Sequence, residues 1–420
     1  MKKIYLDYAA TTPVDKEVLK EMLPYFSENF GNAMSIHSFG QDALQAVDCA
    51  RGKIASFFGA TPSEIIFTSG ATEANNITIK GVLKSYYSQF ATNYESSPNV
   101  RTTKNIKPHI ITTAFEHHCV LDSCKAVEKE NLAEVSYINP GKDGLIEVSD
   151  IAKAIKSNTI LISVMYVNNE IGTVQPIEKI GKLVKKINAT KKESEFKLLF
   201  HTDATQAVNY FECNVTKLGV DLLSMSAHKI YGPKGVGMLF VKKGTAIKKI
   251  QDGGDQEYKM RAGTHNVPGI VGFGKAIEKI QDTKNKKQNM AILKLRDYLI
   301  EKVLREISDA KLNGSRIMRS PNNANFSFAD VEGEGLLLSL DMEGVACSTG
   351  SACSSGALSP SHVLLSIGLK AEQAHGSLRF TIGKYTTKQE IDMTVKKLKI
   401  IITRLRKISG SVLTDYYSKK

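Results

Sequence analysis

Cysteine is scarce in this 420-residue chain, and none of it is paired for metal binding. The six cysteines stand at 49, 119, 124, 213, 347 and 353, with no C-x-x-C pair among them. That spacing argues against a zinc site, and a reducing compartment argues against structural disulfides. Long apolar runs are also missing. No stretch approaches the ~20 residues of a membrane helix. The start, MKKIYLDYAATTP, carries two lysines but then Asp7 and no apolar segment, so it does not have the form of a signal peptide. These absences point to a cytoplasmic protein that does not meet a membrane. Internal repeats and an RNA-binding fingerprint with interleaved aromatics are absent too, and direct nucleic-acid binding is not expected. Acidic residues are outnumbered: 43 Asp and Glu face 56 Lys and Arg, a net charge of +13. Scattered lysine of this kind serves either as a solvated surface or as a face for an acidic partner, and charge alone does not separate the two.

Hydrophobic residues make up 42% of the chain, enough for a sizeable core. Short apolar runs alternate with helical periodicity. EIIFTSG (64–70), HIITT (109–113), TILISVMYV (159–167), KLLFHTD (197–203), VDLLSMSAH (220–228) and VGMLFVKK (236–243) are predicted strands. Between them lie segments such as IEKIGKLVKKINA, where Ile177, Ile180, Leu183, Val184 and Ile187 recur at helical spacing. Strands alternating with helices mean an α/β fold with a largely parallel sheet. An earlier helix, DALQAVDCARGKIASFFG, should end on Gly59 as a C-cap. From about Thr264 the pattern changes to a long helix near 290–307, a strand NANFSFADV, a helix EGLLLSLDME and a strand SLRFTIG. A last helix opens with a capping box of Thr387 and Glu390. We expect a large unit at 15–263 and a small α/β or α+β unit made of 1–14 and 264–420. Residues 85–107 are polar without a clean period and are expected to form an exposed insertion, with a smaller one at KKESE (191–195). The end, DYYSKK, is expected to fray.

Chemistry concentrates at the predicted strand exits. SMSAHKIYGPKG places Lys229 where an apolar strand breaks at Gly232-Pro233. A lysine desolvated there is a nucleophile toward an aldehyde, and the plain alternative is one surface lysine among many. FHTDATQ places Asp203 at a strand's C-terminal end, facing the crevice where open α/β sheets bind ligands. A carboxylate there suits the ring nitrogen of pyridoxal phosphate, and an N-cap Asp is the competing reading. Gln206 follows three residues on and can meet the ring's phenolic oxygen. FTSGATEANN runs a strand into Ser69-Gly70-Ala71-Thr72 and a helix, whose free N–H groups and Thr72 hydroxyl favour an anion. Ser226 and His228 flank the lysine as further phosphate donors. His117, in TTAFEHHCVLD, can stack on a ring and move protons, though His118 beside it leaves the choice open. Asn169 in YVNNEIG is either a donor to the ring oxygen or a turn residue.

Taken in order, YLDYAATTP, FGN, IIFTSGATEANN, EHHCVLD, VNNEIG, HTDATQ, SAHKIYGPKG, RAGTHN, STGSAC and SLRFTIG make the chain resemble the cysteine desulfurases of the class-V aminotransferase branch. These are fold-type I pyridoxal-phosphate enzymes. The resemblance implies a mostly parallel seven-stranded sheet with a smaller C-terminal domain, and pyridoxal 5'-phosphate as cofactor. It implies that Lys229 bonds to the cofactor aldehyde, Asp203 pairs with the ring nitrogen and Gln206 with the phenolate. Ala71, Thr72, Ser226 and His228 would hold the phosphate. Thr264 would reach the phosphate of the neighbouring subunit, so the active form would be a homodimer. His117 would stack on the ring and act as acid and base, Asn169 would contact cofactor and substrate, and Asn32 and Arg379 would bind the substrate carboxylate. Cys353 would accept sulfur from L-cysteine as a persulfide, leaving L-alanine.

TGSACSSGALS (349–359) fits that task. A thiolate that must visit the cofactor and then a separate acceptor needs a loop that moves cheaply, and a Ser/Gly-rich stretch provides one. The motif is similar to the long-loop group, which serves iron–sulfur assembly and nitrogen fixation and often tRNA thiolation; the short-loop Arg-x-Gly-x-His-Cys pattern is absent. The expected acceptor is an iron–sulfur scaffold or a tRNA-thiolation enzyme. No firm metal site is expected, and the sequence leaves open whether Cys353 also ligates a nascent cluster. Two departures stand out: FGNAMSIH lacks the proline that usually follows FGN, and His118-Cys119 after the stacking histidine is uncommon. A selenocysteine lyase, a class-V aminotransferase and a non-catalytic scaffold are the alternatives. The Cys353 loop speaks against a plain aminotransferase, and the intact lysine and cysteine speak against a scaffold.

Overall fold

The structure is a computed structural model that describes residues 3–91, 107–192, 195–349 and 360–418. In chain order the described strands are β1 (Ile4–Tyr5), β2 (Ile65–Thr68), β3 (His109–Thr113), β4 (Glu134–Ile138), β5 (Thr159–Ser163), β6 (Leu199–Asp203), β7 (Leu222–Ser226), β8 (Gly237–Val241), β9 (Ala310–Leu312), β10 (Asn323–Phe328), β11 (Val345–Ala346) and β12 (Ser377–Thr381). The helices that shape the site are α1 (Lys16–Met22), α2 (Ser38–Phe58), α3 (Ala71–Ala91), α4 (His118–Lys129), α5 (Ile177–Asn188), α6 (Val267–Gln281), α7 (Thr283–Glu306), α8 (Gly333–Met342) and α9 (Lys388–Ser418).

Seven strands form one sheet in the order β2-β8-β7-β6-β5-β3-β4. The ladders from β4 through β3, β5 and β6 to β7 are parallel, and β8 runs antiparallel to both β7 and β2. Every residue of β2, β3, β5, β6 and β7 is buried. That is why these segments do not alternate apolar and polar residues in the sequence: helices cover both faces, and polar side chains within the strands, such as His109, His201 and Ser224, are buried as well. One face packs Ala50, Ile54 and Phe58 of α2 with Phe273 and Ile277 of α6. The other packs Ile77 and Val82 of α3 with Val120 and Cys124 of α4. A second core joins Phe326, Phe328 and Phe380 of the antiparallel sheet β12-β10-β9 to Ile4, Leu6, Leu336 and Leu398. β1 pairs in parallel with β11, which ties the chain's start to this smaller unit.

Several expectations need correction. Helix α6, placed by sequence with the small unit, lies in the larger core; a Cβ on Gly274 would meet the Ala50 Cβ at 2.8 Å, so α6 is pressed onto α2. We therefore propose that the two units divide near Asp282 rather than at 263/264. Residues 85–91, assigned to the insertion, continue α3 to Ala91. Tyr86 packs against Phe196 with ring centroids 5.4 Å apart, and the Tyr87 hydroxyl donates to the Leu132 carbonyl at 2.7 Å. Aromatic anchors on a polar helix explain why periodicity alone missed it. Residues 92–106 of that insertion lie outside the described residues, as do 193–194 of the smaller one. The predicted tail is helical through Ser418. Strand β5 stops at Ser163 rather than 167, and β1, β4 and β9 were not anticipated. The local signals at helix ends held: Gly59 caps α2 at φ 67°, and Thr387 and Glu390 exchange backbone N–H bonds at 2.9 and 3.2 Å.

Candidate active site

Strand register, more than any single motif, assembles the site. β6 and β7 are parallel neighbours, with Asp203 opposite Ser224. β6 therefore ends on Asp203 where β7 runs out through Ser226 into the turn Ala227–Lys229. β2 exits through Ser69-Gly70 into the first turn of α3, and the segment after β3 delivers His117 as the N-cap of α4. All of these meet at the C-terminal edge of the sheet, where open α/β folds place ligands.

Asp203 is buried. Its Oδ2 accepts from Asn75 Nδ2 at 2.8 Å and its Oδ1 from the Thr205 N–H at 2.9 Å. Both bonds come from neutral donors, so they orient the carboxylate without cancelling its charge. The Lys229 amine donates to the carbonyls of Ala9 and Ala10, each at 2.6 Å, and Gln206 Nε2 donates to the Ala9 carbonyl at 3.0 Å. The N-terminal segment thus threads the site. His228 Nδ1 lies 3.1 Å from Thr11 Oγ1, and the Thr12 hydroxyl donates to the His228 carbonyl at 2.9 Å. Burial, reinforced by the charges of Lys229 and Lys234, lowers the His228 pKa to about 4, so this ring is neutral at pH 7.

The helix N-terminus behaves somewhat differently from expectation. The Ala71 N–H is taken by the Ser226 hydroxyl oxygen at 2.7 Å. Ser226 therefore accepts from the helix and keeps its own proton to give, while the exposed Thr72 stands beside it. Glycine is required close by. A Cβ on Gly237 would lie 2.4 Å from the Met225 carbonyl and 2.7 Å from Gly70 Cα.

His117 is half-buried, and desolvation lowers its pKa. The Asp203 charge opposes that shift and the Lys229 charge reinforces it, which places the ring within electrostatic reach of both. His118 instead turns to His362, with ring centroids 4.8 Å apart. In the Asn pair, Asn168 is the turn residue, accepting the N–H groups of Glu170 and Ile171 at 2.9 and 3.0 Å. Asn169 is half-buried, and its carbonyl accepts from Arg379 Nη1 at 2.9 Å. Arg379 is buried on β12. Its Nη2 donates to Asp7 Oδ1 at 2.8 Å, and its Nε has no partner among the described residues. Two buried carboxyls line the surroundings: burial raises Glu116 to about 8 and Glu170 to about 7, and Ser361 donates to Glu170 at 2.5 Å.

The structure brings together Asp203, Gln206, Ser226, His228, Lys229, His117, Ala71 and Thr72, with Arg379 and Asn169 joined to one another. Asn32 and Thr264 are exposed. Asn32 accepts the Met34 N–H at 3.0 Å and so holds its own turn. Cys353 lies outside the described residues. The segment's two roots are fixed: Ser348 exchanges backbone bonds with Arg379, and His362 Nε2 lies 2.9 Å from the Glu116 carbonyl. Sequence reasoning gave no role to Asn75, Asp7 or the Ala9 and Ala10 carbonyls, and noted Cys119 only as an uncommon neighbour of His117. All fall inside motifs already singled out, but the partners of Asn75, Asp7, Ala9 and Ala10 lie far away in sequence. Among the described residues no group of three or more His, Cys, Asp or Glu is placed to hold a metal ion. Nor is any described helix long and apolar enough to cross a membrane.

A doubly wound sheet with an amine, a carboxylate and an imidazole gathered at its C-terminal edge defines an α/β enzyme of fold type I. Residues 4–394 match the aminotransferase class-V family. The chain is 50% identical to the cysteine desulfurase IscS of Dictyoglomus turgidum over 408 residues, 97% of this chain and 96% of that one. It is 43% identical to the cysteine desulfurase of Rattus norvegicus over 412 residues, 97% of this chain and 85% of the other. Among solved structures it superposes on a NifS-like protein with TM-score 0.83 and 34% identity, covering 96% and 99% of the two chains. It also superposes on SspA in complex with cysteine, with TM-score 0.75 and 35% identity, covering 91% and 100%. The chain belongs to the class-V aminotransferase family, on its cysteine desulfurase branch.

Proposed function

We propose that this protein is a pyridoxal-phosphate-dependent cysteine desulfurase that converts L-cysteine to L-alanine and passes the sulfur, as a persulfide on Cys353, to an acceptor for iron–sulfur assembly or tRNA thiolation. The observation that carries the reading is the placement of Lys229 and Asp203 at the exits of adjacent parallel strands, with His117 within reach of both charges.

The residues fit the cofactor. Lys229 offers an amine for its aldehyde and Asp203 an oriented carboxylate for its ring nitrogen. Ser226, whose oxygen holds the Ala71 N–H and whose own proton remains to give, offers a donor for its phosphate together with His228, Thr72 and the later N–H groups of the first turn of α3, beside Gly237, which has no room for a Cβ. The Thr205 hydroxyl and Asn75 Oδ1, both buried and without hydrogen-bond partners among the described residues, leave polar capacity around the same crevice. Bound there, pyridoxal phosphate supplies an electron sink for the substrate's carbon framework. Asp203 would hold a proton on the ring nitrogen, Gln206 and Asn169 would address the cofactor's oxygen side, and Arg379, with Asn32, would orient the substrate carboxylate. His117 would cover the ring face and mediate proton exchange there. The Cys353 thiolate forms a bond to the substrate sulfur as that sulfur's bond to carbon breaks, and the carbon takes up a proton to become the methyl group of alanine.

The active form is a homodimer in this reading. Leu23, Phe26, Phe30, Ile36 and Phe39 are all exposed, Ile36 at 92%, and the Phe30 and Phe39 rings lie 5.8 Å apart. An apolar surface of this kind calls for a covering partner, and a second copy would take Thr264 at its phosphate. Treatment with L-cysteine followed by alkylation and peptide mass spectrometry is expected to show the peptide containing Cys353 heavier by one sulfur atom. Lys229→Ala should abolish that mass shift and the release of sulfide, whereas Cys353→Ser should retain the yellow cofactor while losing the persulfide and, with it, sulfide release. Full turnover in Lys229→Ala would refute the proposal.

A further inference from the structure

Cys119 follows His117 by two residues on the first turn of α4, and it is buried. A thiol that merely fills a core presents its sulfur to apolar neighbours. Here two polar groups converge on it. His117 Nδ1 lies 3.0 Å from Sγ, and Asn75 Nδ2 donates to Sγ at 3.0 Å. Asn75 spends its other amide hydrogen on Asp203 Oδ2 at 2.8 Å. Asp203, Asn75, Cys119 and His117 therefore form one continuous hydrogen-bonded chain that reaches from the floor of the site to the ring above it.

The direction of that chain follows from which groups can only donate. The backbone N–H of Cys119 points at His117 Nδ1 at 3.2 Å, so Nδ1 must present a lone pair. The sulfur accepts from Asn75, which turns its own proton toward the same Nδ1. Burial raises the thiol pKa to about 12, so the proton stays on sulfur throughout the neutral range. A neutral imidazole whose Nδ1 only accepts carries its hydrogen on Nε2.

We infer that Cys119 is a positioning residue that fixes His117 as a neutral ring, accepting at Nδ1 and donating from Nε2; this deepens the reading of His117 above and rests on it. Protonating the ring would put a hydrogen on Nδ1, against both the thiol proton and the Cys119 N–H. The charged groups facing the ring do not overturn this. Asp203 on β6 and Asp122 on α4 favour the cation; Lys229 after β7 and His118 on α4 oppose it, as does His362 when charged. Desolvation exceeds each of them. His117 thus meets substrate and cofactor as a hydrogen-bond donor, and any proton it collects costs the two bonds at Nδ1.

Long-range proton–nitrogen correlation on holoenzyme labelled with 15N-histidine reads the tautomer directly, with the signal assigned by its loss in His117→Gln. We expect Nδ1 unprotonated and Nε2 protonated between about pH 6 and 8. In Cys119→Ala the midpoint of His117 protonation should rise by about one pH unit. The acid limb of the sulfide-release profile should move up with it, and Cys119→Ser, which keeps a donor at that place, should restore both. A wild-type spectrum with the hydrogen on Nδ1 overturns the inference, as does a Cys119→Ala protein that titrates like wild type or a serine variant that behaves like alanine. If Cys119→Ala does not fold, the wild-type spectrum decides alone. Should the protein release no sulfide at all while the tautomer is as expected, the desulfurase reading fails and this one stands.

Discussion

Exchange of Glu257 for glutamine should destabilise the larger unit at neutral pH, and the loss should fade in acid. The carboxylate sits 4% exposed beneath the loop that carries Thr264. It accepts from Arg51 Nη1 and Nη2 at 2.8 and 2.7 Å and from the Phe67 N–H at 2.7 Å, and its Oε1 lies 2.8 Å from His265 Nε2. Arg51 is also buried and spans from α2 to this loop. Its guanidinium lies 4.6 Å from the Phe67 ring centroid. The network holds a backbone that would not stay put otherwise: Glu257, Tyr258 and Lys259 are successive non-glycine residues at φ 44°, 56° and 67°. A left-handed conformation costs such residues roughly 1–2 kcal/mol each, so the bonds to Glu257 must offset several kcal/mol of strain.

Despite burial, which alone would raise it, the Glu257 pKa falls from an ordinary 4.5 to about 2, because Arg51 and His265 bond to it and the Arg51 charge faces it. At ~1.4 kcal/mol per tenfold, that is about 3 kcal/mol of preference for the ionised, folded state. Removing one partner of a buried ion pair costs a comparable ~3–5 kcal/mol. The folded pKa lies below the unfolded one, so the stabilisation is complete above about pH 4.5 and is lost as pH falls toward 2. Glu257→Gln keeps the shape and the Phe67 contact while leaving Arg51 without its anion. The larger unit should then melt about 6–12 °C lower at pH 7, at ~2–4 °C per kcal/mol for a unit of this size. The gap should narrow steadily below about pH 4.5. Circular dichroism melting curves of both proteins from pH 7 to pH 3, with trypsin sensitivity at Lys259 and Arg261 as a local readout, test this. A melting point unchanged at pH 7, or a gap that stays constant into acid, would show that the network does not act as an ion pair.

Two further substitutions address the site. Gly237→Ala drives a methyl group to within 2.7 Å of Gly70 Cα, and overpacking of this kind costs ~1–3 kcal/mol; cofactor affinity, followed by loss of colour on dilution, should fall at least about tenfold, and undiminished retention would show that the phosphate does not sit on this turn. Arg379→Lys removes the fork that binds Asp7 and the Asn169 carbonyl together. The KM for cysteine should rise by roughly 10- to 150-fold, the value of one bond to a charged group, and an unchanged KM would take Arg379 out of substrate binding.

Legibility in the sequence followed the range of the interaction. Strand exits such as Asp203 and Lys229 were visible because each buried parallel strand begins in a short apolar run, KLLF and VDLL, and the charged residue that follows within a few positions marks the strand's C-terminal end. Helix ends at Gly59, Thr387 and Glu390 were visible because a cap is settled within four residues. Residues 85–91 were not, because their helix is fixed by Tyr86 on Phe196, a contact across more than a hundred residues. The same holds within the site. Asn75 reaches Asp203 across 128 positions and Arg379 reaches Asp7 across 372. An asparagine on a helix and an aspartate in an N-terminal segment have many plain explanations, and nothing in the local pattern selects the partner. Cys119 is the sharpest case. Its close neighbour in sequence, His117, was legible as a candidate side chain of the site. What the thiol does to that ring is decided by Asn75 on another helix, which turns the sulfur's lone pairs away and leaves its proton for Nδ1. The motifs therefore state which groups are present, while the direction of each hydrogen bond, and with it the protonation state on which the chemistry runs, is set by the packing of α3 against α4.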